Sequence, residues 1–185
     1  MEQAASNRQQ AMNRYLWNAE AGRYENYNFV TGQRISLNDA SNAYALWAGV
    51  AENSSGNPQA QRILASLTAL ERRGGLMSSE VMDSKGQWDG AHGWPPDHLV
   101  AVLGAERYGF NQFADRLANK WLDTNIKIYR QHGTLPESVD VLTQDIPAPS
   151  SDRYPTVVVR GQPFAWNAAT CTVMALRNQE LEAAP

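Results

Sequence analysis

Apolar residues recur at helical spacing in six stretches of the chain. Residues 5–20 put Ala11, Met12, Tyr15 and Leu16 on one face, and residues 58–73 repeat Ile63, Leu64, Leu67 and Leu70 at intervals of three and four. Residues 37–52 read as a second helix, with Asp39 or Ser41 as its N-cap, and Pro58 and Gly74 bracket the third. Residues 96–109, 110–133 and 165–183 complete the set, the fifth ending near Gly133. Between the first two helices, "GRYENYNFVTGQRI" alternates aromatic and polar residues around a Thr-Gly turn, which predicts a short extended or hairpin excursion. The expected fold is therefore all-α, with about six helices joined in pairs.

Two connections interrupt this pattern, one after the third helix and one after the fifth. Loops longer than about 12–15 residues in a compact domain are functional or disordered far more often than they are plain connectors. The first contains "KGQWDGAHGWPPDHLVAV", with two tryptophans, an aspartate and a histidine among glycines and prolines that prevent regular structure. The second contains Glu137 directly after Pro136. These side chains favour function over disorder.

Composition narrows the classes. The 185 residues are 43% hydrophobic and 19% charged, enough for one domain with a true core. The net charge of −3 gives no excess of cations for a phosphate backbone, so nucleic acid is not an expected partner. No stretch approaches the ~20 apolar residues of a membrane span, and the opening "MEQAASNRQQ" is too polar for a signal peptide. A soluble protein is expected, cytoplasmic, or periplasmic if a leader has been removed. The single cysteine, Cys171, lies in an apolar helical run and reads as a small packing residue. His92, His98 and His132 lack the spacing of a metal face, so neither a metal nor another cofactor is expected.

The tryptophan loop has a chemistry of its own. Indole faces stack on the C–H faces of sugars, and the ring N–H donates a hydrogen bond. Gln87 and Asp89 beside Trp88 and Trp94 could bind hydroxyl groups, while Gly90 and Gly93 let the backbone come close to a ligand. The same residues would equally serve as an aromatic wedge closing the end of a helix bundle. Composition leaves both readings open, and by itself it reads Glu137 as a solvated loop charge.

Several blocks in order resemble the α,α-trehalase family of glycoside hydrolases. "AMNRYLWNAEAGRYENYNF" resembles its Arg-Tyr-Leu-Trp run, and "AYALWAGVA" its Tyr-Pro-Leu segment, with Ala45 at the proline. The signature Gln-Trp-Asp-x-Pro-x-Gly-Trp-x-Pro fits Gln87, Trp88, Asp89, Gly93, Trp94 and Pro96, with Ala91 at its first proline. "LPESVDV" resembles Glu-Lys-Tyr-Asp-Val, and "PFAWNAA" resembles Gly-Phe-Gly-Trp-Thr-Asn.

The resemblance implies a partial α/α toroid of three helical hairpins, one half-domain over residues 1–185. It implies a disaccharide or glucose-like ligand and an inverting mechanism. Glu137 takes the position of the general base, with Trp88, Asp89, Trp94, Gln87 and Trp166 around the sugar. The family's general acid, an aspartate in a Gly-Trp-Asp segment, has no matching stretch here, and Arg153 stands where the family has a further glutamate. Inverting hydrolysis needs two carboxyl groups about 6.5–9.5 Å apart, so a lone base cannot complete the reaction. Three readings follow: an enzyme part that a matching N-terminal half completes, a non-catalytic carbohydrate-binding or interaction module, or a helical remnant that packs against another protein and holds no ligand. A half-ring would also expose two apolar flanks, which makes a homodimer an expected assembly.

Overall fold

The computed structural model describes residues 2–52, 58–82, 86–147 and 162–183. Six helices follow one another: α1 (Glu2–Tyr15), α2 (Asn42–Trp47), α3 (Gln59–Leu70), α4 (Pro95–Arg107), α5 (Asn111–His132) and α6 (Ala165–Ala183). Each predicted helix is present. The second is six residues rather than sixteen: it begins only after Ser41, and the chain turns out of helix at Gly49, where φ is +70°. Its N-cap is Ser41, but the Ser41 side chain makes no capping bond. Asp39 instead accepts the Ser41 backbone N–H at 3.0 Å and the Ser41 hydroxyl.

The predicted excursion is a pair of small ribbons. β1 (Trp17–Asn18) pairs with β2 (Arg23–Tyr24), and β3 (Asn26–Asn28) pairs antiparallel with β4 (Gln33–Ile35), Tyr27 opposite Arg34. Two further ribbons join β5 (Glu71–Arg72) to β6 (Gly75–Leu76) and β7 (His92–Gly93) to β8 (Val139–Asp140).

The core forms around α4, which meets α2, α5 and α6. Gly104 is where α2 crosses it: a Cβ there would lie 2.8 Å from the Trp47 nitrogen and 2.9 Å from the Leu46 Cβ, so only glycine permits the approach. Along α5 the buried positions Phe113, Leu117, Trp121 and Ile128 keep the helical period and face this core. Ile63, Leu67 and Leu70 of α3 are fully buried, as their spacing predicts, with Leu64 packed at the margin. Cys171 is also packed against the core, and burial pushes its thiol up to about 11, so it stays protonated and inert at neutral pH.

His98 is the polar pin of this interior. Its Nδ1 lies 2.8 Å from the Trp94 carbonyl oxygen, and its Nε2 accepts the Leu76 N–H at 2.8 Å. That pairing requires a neutral ring with the proton on Nδ1, and burial accordingly pushes its pKa down to about 4. Gly75, with φ of +139°, passes directly over the ring; a Cβ there would stand 2.2 Å from Nε2. The His98 hydrogen bonds thus tie the start of α4 to β6 and fix where the preceding tryptophan loop ends.

The ends of the arc are less complete. No residue of α1 is buried, although Met12 and Leu16 of its predicted apolar face lean on the core and Tyr15 of the same face stays exposed. Between α1 and α2 lies a cavity of about 590 Å³ whose apolar lining includes Met12, Leu16, Tyr44, Trp47 and Val50. At the other end, α5 and α6 leave Ile126, Tyr129, Val173 and Leu176 exposed beside an apolar hollow of about 240 Å³.

Candidate functional site

The tryptophan loop and the Glu137 loop are far apart in sequence and adjacent in space. The β7–β8 ribbon accounts for it: His92 pairs with Asp140 and Gly93 with Val139, so Trp94 and Glu137 flank the same two-residue ladder. A third segment, the start of α6, is laced to both. Trp166 Nε1 donates to the Glu137 carbonyl at 2.9 Å, and Phe164 N–H donates to the Leu135 carbonyl at 2.9 Å. Asn167, wholly buried, donates to both the Pro136 carbonyl and the Asn125 side-chain oxygen. An Asn held this way positions the 135–137 backbone rather than a ligand.

The indoles form one cluster. Trp88 and Trp94 stack at 4.1 Å with their planes 8° apart, and Trp166 meets both edge-on, at 6.4 and 5.7 Å. Phe164 extends the cluster at 5.4 Å from Trp166. The contacts of Trp166 fall in the favourable range for edge-to-face and tilted aromatic pairs, and the Trp88–Trp94 stack is closer still. The three tryptophans differ in exposure. Trp94 is 1% exposed, Trp88 is 47% exposed, and Trp166 lies between. Trp94 therefore works as the floor on which Trp88 rests, and Trp88 carries the accessible surface.

Of the residues singled out in the sequence, the structure brings Trp88, Trp94, Trp166 and the Glu137 backbone together. Glu137, Gln87 and Asp89 are half-buried, and the Asp89 backbone carbonyl accepts the His92 N–H at 3.3 Å in the turn that leads into β7. Arg153 lies outside the described residues. Trp94 fills the place of the aromatic wedge, and Trp88 stacks on it with about half of its surface exposed.

One residue of the site was missed by sequence reading. Asp97, 6% exposed, lines a cavity of about 160 Å³ together with Trp88, Asp39, Ser41, Ser78 and Ser79. Burial pushes the Asp97 carboxyl up to about 7, the Tyr44 hydroxyl opposes this by hydrogen-bonding it, and neighbouring Asp39 adds to the rise. In the sequence Asp97 looks like an ordinary acidic residue in the first turn of a helix, where a carboxylate favours the dipole. Its burial arises from α2, which the sequence does not place against it. The cavity wall is fixed by the two serines. Ser78 Oγ donates to the His92 carbonyl at 2.6 Å, and Ser79 Oγ accepts the Gly90 N–H at 3.3 Å, holding the tryptophan loop against the cavity.

Among the described residues no group of His, Cys, Asp and Glu is arranged to hold a metal ion, and no helix is long and apolar enough to cross a membrane.

Comparison with known proteins identifies the family and the fold. The profile of the trehalase family matches residues 1–172. A cytosolic neutral trehalase of Neurospora crassa is 38% identical over 152 residues, covering 76% of this chain and 20% of that protein. A probable trehalase of Eremothecium gossypii is 34% identical with the same coverage. Among solved structures, the neutral trehalase of Saccharomyces cerevisiae superposes with a TM-score of 0.76 at 27% identity, over 94% of this chain and 30% of that one. A mannosylglycerate hydrolase from Thermus thermophilus, solved with glucose, shares the fold at 20% identity and a TM-score of 0.67, over 91% of this chain and 38% of that one. The chain spans about a fifth of the length of the curated relatives it matches.

Proposed function

As the chain belongs to the trehalase family, we propose that it supplies the base and one aromatic wall of a trehalase-type site for a glucose-containing disaccharide. The fold is a partial α/α toroid of six helices with short β ribbons. In this reading Glu137 activates the water that attacks the anomeric carbon, Trp88 carries the sugar, and Trp94 and Trp166 hold Trp88 and the Glu137 backbone in register. The observation that carries it is the convergence on one aromatic cluster of the Trp88–Trp94 stack and the Trp166–Glu137 hydrogen bond. Inverting hydrolysis requires a second carboxyl group as acid. The family's acid segment has no counterpart in this sequence, so the reading assigns turnover to an assembly with a matching N-terminal half. The relatives named as cytosolic support a cytosolic setting.

Titration with trehalose and glucose tests the carbohydrate part directly. Trp88 is half exposed, so occupation of its face is expected to change tryptophan fluorescence saturably, and Trp88→Phe should lose most of that change. Absence of any saturable response with either sugar would leave a purely structural cluster.

The open ends of the arc support the assembly. Apolar faces of this kind drive association, and the α1–α2 cavity and the Ile126–Leu176 face have no covering element among the described residues. The isolated chain is expected to dimerise through these flanks. Sedimentation velocity at high micromolar concentration should show the dimer, and a persistent monomer would refute it.

A further inference from the structure

We propose that Asn167 is a positioning residue for Glu137: with Phe164 and Trp166 it clamps three successive carbonyl groups of the base loop, and through Asn125 it ties the seat of the base to α5. The proposal rests on the hydrolase reading above and names what that reading needs to hold its base still. Three donors from the first turn of α6 and the residue before it meet three consecutive acceptors. Phe164 N–H reaches the Leu135 carbonyl, Asn167 Nδ2 the Pro136 carbonyl and Trp166 Nε1 the Glu137 carbonyl, each at 2.9 Å. A peptide unit is planar, so a donor that holds its oxygen also holds its plane. The Pro136 and Glu137 oxygens belong to the two planes on either side of the Glu137 Cα. Asn167 and Trp166 therefore hold φ and ψ of Glu137, and with them the direction in which its side chain leaves the backbone. The ring of Pro136 limits the preceding φ as well.

Asn167 is the member of this clamp that no ligand can reach. It is 0% exposed, and both Nδ2 protons are used, one on Pro136 and one on the Asn125 side-chain oxygen at 2.8 Å. Its own Oδ1 accepts the Cys171 thiol at 3.5 Å. Asn125 is buried too, and donates its Nδ2 to the Trp121 carbonyl at 2.9 Å. Reversing either amide would set oxygen against oxygen, so the two side chains orient each other. A continuous path of hydrogen bonds thus runs from the middle of α5, through Asn125 and Asn167, to the residue before the base. Asn125, Leu135 and Cys171 also line the apolar hollow between α5 and α6. The base is therefore anchored from the same flank that the reading above assigns to the completing half.

A double-mutant cycle of Asn167→Leu and Glu137→Gln, measured as trehalose hydrolysis by this chain joined to the N-terminal half of a family member, tests the assignment. Asn167→Leu keeps the bulk of the side chain and removes both donors. It should lower kcat about 10–10²-fold, the scale of a ~1 Å misplacement of a reacting group, with KM within about threefold. In the Glu137→Gln background the same substitution should lower kcat by less than about threefold, because Asn167 acts through the carboxylate that is already gone. A purely structural role would instead lower kcat by the same factor in both backgrounds. That result, or a raised KM at unchanged kcat, would overturn the assignment and leave the hydrolase reading standing. No turnover by the wild-type assembly would remove the hydrolase reading itself, and the assignment with it. Should Asn167→Leu not fold, Asn125→Leu decides: it leaves all three clamp donors in place and removes the acceptor that orients Asn167. It should lower kcat severalfold with Glu137 present and leave it unchanged in Glu137→Gln, and an equal fall in both would overturn the assignment.

Discussion

Trp94→Ala is expected to destabilise the chain by about 3–5 kcal/mol, the usual range for removing a buried aromatic side chain. Trp94 is 1% exposed, stacks on Trp88, meets Trp166 edge-on and starts the helix whose His98 accepts from Leu76. Its loss opens a void at the junction of three segments. Domains of this size have only about 5–15 kcal/mol of stability in total, so the variant should melt far below the wild type and unfold at much lower urea. Trp88→Ala should cost much less, about the 0.5–1.5 kcal/mol of an aromatic pair, because half of Trp88 already faces solvent. Trp94→Phe separates packing from polarity. It keeps an aromatic ring on the stack and removes an indole nitrogen that is buried with no hydrogen-bond partner among the described residues. Its loss should fall well short of that of Trp94→Ala in the same urea titration.

Helices were legible in the sequence because their apolar period is local, and Ile63, Leu67 and Leu70 show this. The β3–β4 hairpin was legible for a similar reason, with alternation and turn residues within fourteen positions. The β7–β8 ribbon was not, since two residues on each side show no alternation and their partners lie more than forty positions apart. Yet that ribbon brings the Glu137 loop to the indoles. Asp97 escaped notice, and His98 was weighed only as a metal ligand, for a related reason. Both are buried by contacts from remote segments, Tyr44 on one and Leu76 on the other. The apolar face of α1 was read correctly from its period but is not buried, because an amphipathic helix specifies a face and not the neighbour that covers it. The candidate site residues came from motif resemblance; composition alone left the wedge and the wall equally open.

Glu137→Gln carries the second large effect. A general base contributes about 10²–10⁴ in rate, and glutamine keeps the size and hydrogen-bonding reach of glutamate while removing its proton affinity. The Trp166 bond is to the Glu137 backbone oxygen, so the substitution leaves the loop anchored and the indole cluster intact. Folding and sugar binding should therefore survive, and only the chemical step should suffer. A residue that merely shaped the loop would show the opposite split, with binding and stability lost together.

The most direct measurement is trehalose hydrolysis by this chain joined to the N-terminal half of a family member, run in parallel for wild type and Glu137→Gln. Turnover is expected in the wild-type assembly, none from the isolated chain, and a fall of about 10²–10⁴ in Glu137→Gln with trehalose affinity within about threefold. Equal turnover by the wild-type and Glu137→Gln assemblies would contradict it.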